Sequence, residues 1–155
     1  MIIWGDLIKY IIIFILLGLA VKQDVKNFRV SNKLNLAGCL IGIFHSLLFY
    51  GIGGLWNSLL GIIIPFVMLF PLFLFGLLGA GDIKLLSAIG SFLSKRIIVV
   101  IVLSFCLAAV FGIFVILKRI LTKQHSNLMN SQFTKIHMTI PIGFATIAYL
   151  LVYII

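Results

Sequence analysis

Long apolar runs alternate with short polar segments along the chain. Uncharged runs cover residues 10–21, 34–81, 97–117 and 136–155. A helix needs about 20 mostly apolar residues to cross a hydrocarbon core about 30 Å thick. The run at 34–81 is long enough for two crossings, and the glycine-rich segment at 50–54 predicts a turn between them. The pattern therefore predicts an all-α fold, a polytopic helical bundle in a membrane.

The segment boundaries predict about six transmembrane helices in a single domain that covers residues 1–155. The predicted helices are 2–21, 34–49, 55–78, 83–94, 97–117 and 139–155. The helix at 83–94 is the weakest, because a dozen residues give roughly 18 Å of helix, and such a helix needs a locally thinned bilayer. Pro65 and Pro71 predict kinks in the third helix. A cleavable signal peptide is the alternative for the first helix, but no net positive charge precedes its apolar core.

Composition and charge support the membrane class and orient the chain. Hydrophobic residues make up 63% of it, against roughly 45–50% in soluble domains. The net charge is +9, and eight of the 12 Lys and Arg lie in basic clusters at 22–33 and 118–135, which are typical of cytoplasmic loops rather than of a nucleic-acid surface. Six crossings with the N-terminus outside place nine Lys and Arg inside and three outside. If 83–94 does not cross, seven Lys and Arg lie inside and five outside, so the positive-inside rule favours the six-crossing topology.

Cysteine and histidine give no metal centre. Cys39 and Cys106 lie inside apolar runs and form no Cys-x-x-Cys pair, so we interpret both as small hydrophobic residues. His45 is alone within a predicted helix. With two Cys and three His in the whole chain, we expect no metal and no cofactor.

The acidic residues are few and unusually placed. Only Asp6, Asp24 and Asp82 are present, without any Glu, and an ionised group beside hydrocarbon costs several kcal/mol. The six-helix topology puts Asp24 at the end of the first helix and Asp82 at the start of the fourth, both at the inner face. Two neighbouring carboxyl groups hold a shared proton, so one can activate water while the other protonates a substrate carbonyl. Asp6 is expected only to solvate the outer end of the first helix.

Three short segments of the chain form a set of motifs: Asp24 followed by Val30-Ser31-Asn32, then Gly79-Ala80-Gly81-Asp82-Ile83-Lys84-Leu85, and finally Ile140-Pro141-Ile142-Gly143-Phe144-Ala145. Together they resemble the motifs of the type IV prepilin peptidases, the A24 family of intramembrane aspartic proteases. The segment around Asp82 is similar to the family's Gly-x-Gly-Asp-hydrophobic-Lys-Leu signature. The segment after Asp24 is similar to its first-aspartate motif with Ile-Pro-Asn, although Ser31 replaces the proline, and the last resembles a C-terminal segment, again with one proline missing.

This resemblance implies a membrane-embedded aspartic endopeptidase in which Asp24 and Asp82 are catalytic. The supporting motif residues would be Gly79, Gly81, Lys84 and Asn32. The implied substrate is the leader peptide of a type IV-like prepilin, cleaved at the cytoplasmic face of the cell membrane. The chain lacks the four-cysteine region of bifunctional members and is similar in length to the peptidase-only forms of Tad/Flp pilus systems.

Simpler roles remain open for these residues on the sequence alone. Asp82 can cap a helix, and Asp24 can be an interfacial charge neutralised by a neighbouring lysine. Lys84 can orient Asp82 or extend towards the lipid surface, and Asn32 can cap the second helix or contact the leader. The two glycines of the motif can act only as helix breakers.

Two other functions also fit the chain. The first is a different Gly-x-Gly-Asp intramembrane protease that cleaves other single-span proteins. The second is a non-enzymatic membrane subunit or transporter that uses Asp24 and Asp82 to move protons.

Overall fold

The computed structural model describes residues 2–27, 30–121 and 138–154, and these residues form helices joined by short turns. No strand occurs within those three ranges, which confirms the predicted all-α class. The basic residues Lys123 and Lys135 lie outside the described ranges. The helices are α1 (Ile2–Asn27), α2 (Asn32–Leu74), α3 (Ala80–Leu93), α4 (Ile97–Leu121) and α5 (Thr139–Ile154). A 3₁₀ turn, Ser94–Arg96, joins α3 to α4.

Helix α2 is interrupted at Gly51. The backbone there takes φ 65° and ψ −153°, a conformation that glycine adopts readily because it has no Cβ. The chain then turns back on itself, since a Cβ on Gly54 would lie 2.3 Å from the carbonyl oxygen of Ser46. The reversal at Gly51 confirms the turn predicted at 50–54. Pro65 and Pro71 keep helical backbone angles, and a bend of the helix axis at these residues stays a prediction.

Helix α3 lies between the two halves of α2. Near its start, the Asn35 side-chain amide reaches the Gly81 carbonyl oxygen, and near its end the Ser46 hydroxyl donates to the Ser91 carbonyl oxygen. Helix α3 therefore runs in the same direction as the first half of α2 and extends between the two ends of the bundle. Its residues from 85 to 93 are all buried.

Close backbone contact holds α3 in this position. A Cβ added to Gly90 would lie 2.0 Å from the carbonyl oxygen of Gly61, and one added to Gly61 would lie 1.9 Å from that of Gly90. On the other half of α2, a Cβ on Gly42 would overlap the Ser91 hydroxyl. Such small-residue contacts let membrane helices approach closely and gain van der Waals packing.

The surface of the bundle is apolar around its girth and polar at its ends. Three helical segments are long and apolar enough to cross a membrane: Trp4–Lys26, Asn32–Leu74 and Ala80–Phe114. Large hydrophobic side chains such as Phe44, Phe66 and Val110 are exposed along them. These features indicate a membrane protein. Division of α2 at Gly51 gives six helical segments, and their crossing of the bilayer stays a prediction.

We call the two ends of the bundle the Asp82 end and the Asp6 end. The Asp82 end contains Asp24, the start of α2 and the start of α3. The Asp6 end contains the start of α1, the reversal at Gly51 and the 3₁₀ turn. Helix α3 has 14 residues, or roughly 21 Å at 1.5 Å per residue, so it is shorter than a hydrocarbon core about 30 Å thick.

Gly90→Ala should lower the midpoint of thermal unfolding in mild detergent. The added methyl group meets the Gly61 backbone, which has no flexible side chain to move aside. Overpacking of this kind costs about 1–3 kcal/mol. Gly18→Ala is the matched control, because nothing lies within 4 Å of the position that its Cβ would take, and it should unfold at or above the wild-type midpoint. Equal midpoints for the two variants would contradict the backbone contact.

Cysteine labelling should separate the two ends of the bundle. In a variant lacking both native cysteines, a membrane-impermeant maleimide should label Asn57→Cys and Lys95→Cys in intact cells. Lys26→Cys and Lys33→Cys should react only after the membrane is opened. The reason is that Asn57 and Lys95 line one cavity at the Asp6 end, and the charge distribution predicts that this end faces outside.

Labelling of a cysteine at position 126, in the basic cluster 118–135, tests the same topology, although Ser126 lies outside the described residues. External labelling of Ser126→Cys would mean that 83–94 does not cross, and the six-helix prediction would be wrong.

Candidate active site

Asp82 lies in the first turn of α3. The turn after α2 ends in Gly79, whose extended backbone makes it the N-cap of α3. The N–H groups of Asp82 and Ile83 donate to the Gly79 carbonyl oxygen at 3.1 and 3.5 Å. In return, the Asp82 carboxylate accepts a hydrogen bond from the Gly79 backbone. Asp82 thus holds the third helical position and supplies one half of a capping box, because Gly79 has no side chain to complete it. The N-cap role considered for Asp82 therefore belongs to Gly79.

Asp24 lies near the end of α1, one turn before the helix stops at Asn27. It is only 8% exposed, although it is followed by the exposed residues Val25 and Lys26. A buried carboxylate is costly unless charges or hydrogen bonds nearby compensate it. The position of Asp24 on the inward face of α1 therefore indicates a role inside the bundle rather than at a solvated helix end.

The fold brings Asp24 and Asp82 together at the same end of the bundle. Helices α1 and α3 are in contact, and the two carboxyl groups interact electrostatically across that contact. Like charges at short range disfavour the ionisation of both groups at once. Such a pair contains a base that can take a proton from water and an acid that can give one to a carbonyl oxygen.

Asn32 and Lys84 meet each other beside this pair. The Lys84 ammonium donates to the Asn32 side-chain oxygen at 2.9 Å, joining the start of α2 to the first turn of α3. The N-cap of α2 is Ser31, whose hydroxyl accepts from the Lys33 N–H at 3.2 Å. The capping role considered for Asn32 therefore belongs to Ser31, and Asn32 is the partner of Lys84.

The two motif glycines have different surroundings. A Cβ on Gly79 would lie 3.0 Å from a carboxylate oxygen of Asp82, so any side chain there would crowd the carboxylate. No atom lies within 4 Å of the corresponding position at Gly81. A side chain at Gly79 would therefore force the Asp82 carboxylate to shift, whereas Gly81 leaves open space beside the same residue.

Sequence reasoning missed a second set of polar contacts at this end. Asn35 is 2% exposed, and its amide nitrogen lies 3.5 Å from the Gly81 carbonyl oxygen, while its own side-chain oxygen has no hydrogen-bond partner among the described residues. Gln23, next to Asp24, accepts a hydrogen bond from the Ser31 N–H at 2.8 Å. The sequence offered one sign of these contacts, because Asn35 is a polar residue one turn after Asn32 in a run otherwise interpreted as apolar.

The third motif segment, residues 140–145, lies at the start of α5 and packs against α1. Pro141 and Gly143 are buried in the first turn and a half of α5. A Cβ on Gly143 would be in ordinary contact, 3.9 Å, with the Val21 side chain, one turn before Asp24. The segment therefore packs α5 against the part of α1 that carries the first aspartate.

The described residues contain no group of three or more His, Cys, Asp or Glu side chains that could hold a metal ion. Within those residues, Cys39 is half-buried in α2 and Cys106 is exposed on α4. His125 and His137 lie outside the described ranges. The expectation of a site without metal or cofactor stays a prediction.

Comparison with known proteins concerns the region that contains Asp24 and Asp82. No curated protein and no solved structure matches the chain significantly. The family model for the type IV leader peptidases matches residues 11–113, which is about two thirds of the chain and includes both aspartates of the pair. The chain therefore belongs to the type IV leader peptidase family, whose members are proteases of the prepilin peptidase type.

Proposed function

We propose that this protein is an aspartic endopeptidase whose catalytic residues are Asp24 and Asp82. The observation that carries the proposal is the placement of these two carboxyl groups, which lie 58 residues apart in sequence on the contacting helices α1 and α3, at the same end of the bundle and near enough to interact electrostatically. The matched family implies peptide-bond hydrolysis. A pair of carboxyl groups that share one proton supplies the base and the acid that this reaction needs.

In the proposed reaction, the ionised carboxylate removes a proton from a water molecule as the water oxygen bonds to the carbonyl carbon. The protonated carboxyl group donates its proton to the carbonyl oxygen. The carbon–nitrogen bond then breaks, and the departing amine takes up the proton removed from water. Water is the nucleophile, so no acyl-enzyme forms.

We infer that the substrate is the leader peptide of a Flp-type prepilin, cleaved at the cytoplasmic face of the cell membrane. The position of the pair at a polar end of an apolar bundle supports this, because the cleaved bond would lie where a basic leader meets a hydrophobic segment. The open space beside Gly81 would admit an extended substrate backbone next to Asp82. The charge distribution along the chain favours an inside location for this end.

Asp24→Asn and Asp82→Asn should each abolish cleavage of a co-expressed prepilin, scored as a shift in gel mobility. Asparagine keeps the shape of the side chain but cannot exchange a proton, so either change should remove essentially all activity. Asp6→Asn is the matched control, since it changes the remaining acid of the chain at the opposite end of the bundle, and it should keep most of the activity.

Expression and membrane insertion should be equal for all three variants. Substantial cleavage by either Asp24→Asn or Asp82→Asn in a purified assay would rule out the aspartic mechanism. If the wild-type protein cleaves other single-span substrates but no prepilin, only the proposed substrate class is contradicted.

Asn32→Ala and Lys84→Met should slow cleavage by similar factors, and the double variant should be no slower than either single variant. The reason is that both changes remove one hydrogen bond, the contact between the start of α2 and the first turn of α3. Residues that share a contact show coupling of about 0.5–3 kcal/mol in a double-mutant cycle. Lys33 is an exposed lysine next to Asn32, so Lys33→Met is the control for loss of a positive charge. Its effect on the activation free energy of cleavage should add to that of Lys84→Met without coupling. Full additivity of Asn32→Ala and Lys84→Met would show that the contact does not support the site.

A further inference from the structure

A buried amide interrupts the glycine contact between the first half of α2 and α3. Asn35, Gly38 and Gly42 follow one face of α2, and all three are buried. A Cβ on Gly38 would lie 3.1 Å from the Ala88 side chain, and one on Gly42 would overlap the Ser91 hydroxyl, so this face of α2 packs against α3. Asn35 continues the face by one turn towards the Asp82 end. Its side chain is therefore inserted between two helices that elsewhere meet through glycine.

Stability alone does not account for an amide at this position. Asn35 Nδ2 donates to the Gly81 carbonyl oxygen at 3.5 Å, which is long for a hydrogen bond. Asn35 Oδ1 is buried and has no hydrogen-bond partner among the described residues. A buried acceptor without a partner costs more free energy than one long hydrogen bond returns. Polar side chains in membrane bundles are costly for this reason, and they mark functional positions.

The group that Asn35 contacts is the peptide unit that leads into Asp82. The N–H of this peptide unit, which belongs to Asp82, donates to the Gly79 carbonyl oxygen at 3.1 Å. Its carbonyl group, which belongs to Gly81, accepts from Asn35 on the neighbouring helix. The plane of the peptide unit is thus held at both of its polar atoms. Because this plane sets the direction of the Asp82 side chain, the Asn35 contact bears on the alignment of Asp82 with Asp24.

We propose that Asn35 is a positioning residue for the peptidase reaction, which holds the Gly81–Asp82 peptide unit so that the Asp82 carboxyl group stays aligned with that of Asp24. This inference rests on the proposed function. Asn35 takes no proton in the reaction and does not contact the substrate. Hydrogen bonds that support catalysis are often long in the free enzyme and shorten when the substrate is bound, as the 3.5 Å contact would do here.

Asn35→Leu separates positioning from stability. Leucine has the same branched outline as asparagine but no polar atoms. The variant should unfold in mild detergent at or above the wild-type midpoint, because the buried oxygen without a partner is gone. With purified prepilin as the substrate, kcat should fall roughly tenfold or more, since a small misplacement of a catalytic group costs a large part of the rate. KM should stay within about twofold of wild type, as expected when a change affects only the transition state.

Asn35→Gln is the conservative variant. It keeps the amide group on a side chain that is longer by one methylene, so it should overpack the interface and unfold below the wild-type midpoint. It should nevertheless cleave prepilin faster than Asn35→Leu, because the amide can still reach the Gly81 carbonyl oxygen. The order of the two activities is thus expected to oppose the order of the two midpoints. A residue that acts only on stability would give the same order in both measurements.

Ser46→Ala is the matched control. Ser46 is also buried on the first half of α2, and its hydroxyl donates to a carbonyl oxygen of α3, that of Ser91, at 3.4 Å. The control therefore removes the same kind of contact between the same two helices, but at the Asp6 end. It should keep kcat within about twofold of wild type, because distant sites without shared partners act independently.

The role of Asn35 alone is overturned if Asn35→Leu keeps the wild-type kcat while Asp24→Asn and Asp82→Asn are inactive. It is also overturned if Ser46→Ala lowers kcat as much as Asn35→Leu does, or if Asn35→Gln is the slower of the two Asn35 variants. Failure of Asn35→Leu to fold, or a lowered midpoint, would show that the amide serves the structure and not the alignment of Asp82. Cleavage by the two aspartate variants would instead overturn the proposed function, and the role of Asn35 with it.

Discussion

The close packing of α3 between the two halves of α2 is the contact on which the rest of the structure depends. At Gly61 and Gly90 the backbones touch, so neither helix can shift without separating the other pairs along the interface. Because α3 is buried along most of its length, its two ends are fixed with respect to both halves of α2. Asp82 lies at one of these ends, and the basic 3₁₀ turn lies at the other.

Polar contacts at the Asp82 end then set the geometry around the aspartate pair. Each joins one helix end to another: Lys84 to Asn32, Asn35 to Gly81, and Gln23 to Ser31. Together they fasten the end of α1, the start of α2 and the first turn of α3 to one another. Preorganised carboxyl groups are what hydrolysis by an aspartate pair requires, since a small misplacement costs a large part of the rate.

The two ends of the bundle are suited to different chemistry. At one end a pair of carboxyl groups faces the interior, and at the other end lysine, arginine and hydroxyl groups surround a cavity. Helix α3 connects them and is shorter than the hydrocarbon core of an ordinary bilayer.

The sequence by itself determined the all-α class, the apolar segments and the family, because hydropathy and short motifs are local properties of the chain. It also singled out Asp24 and Asp82, since carboxylates are rare in so apolar a context. Only the tertiary structure decided that Asn32 bonds Lys84, that Asn35 reaches Gly81 and that Ser58 lacks a partner among the described residues, as these facts depend on helices packed together from distant parts of the chain. It likewise selected Gly51 as the residue that takes the positive φ within the turn predicted at 50–54, because the sequence pattern marks the neighbouring glycines there alike.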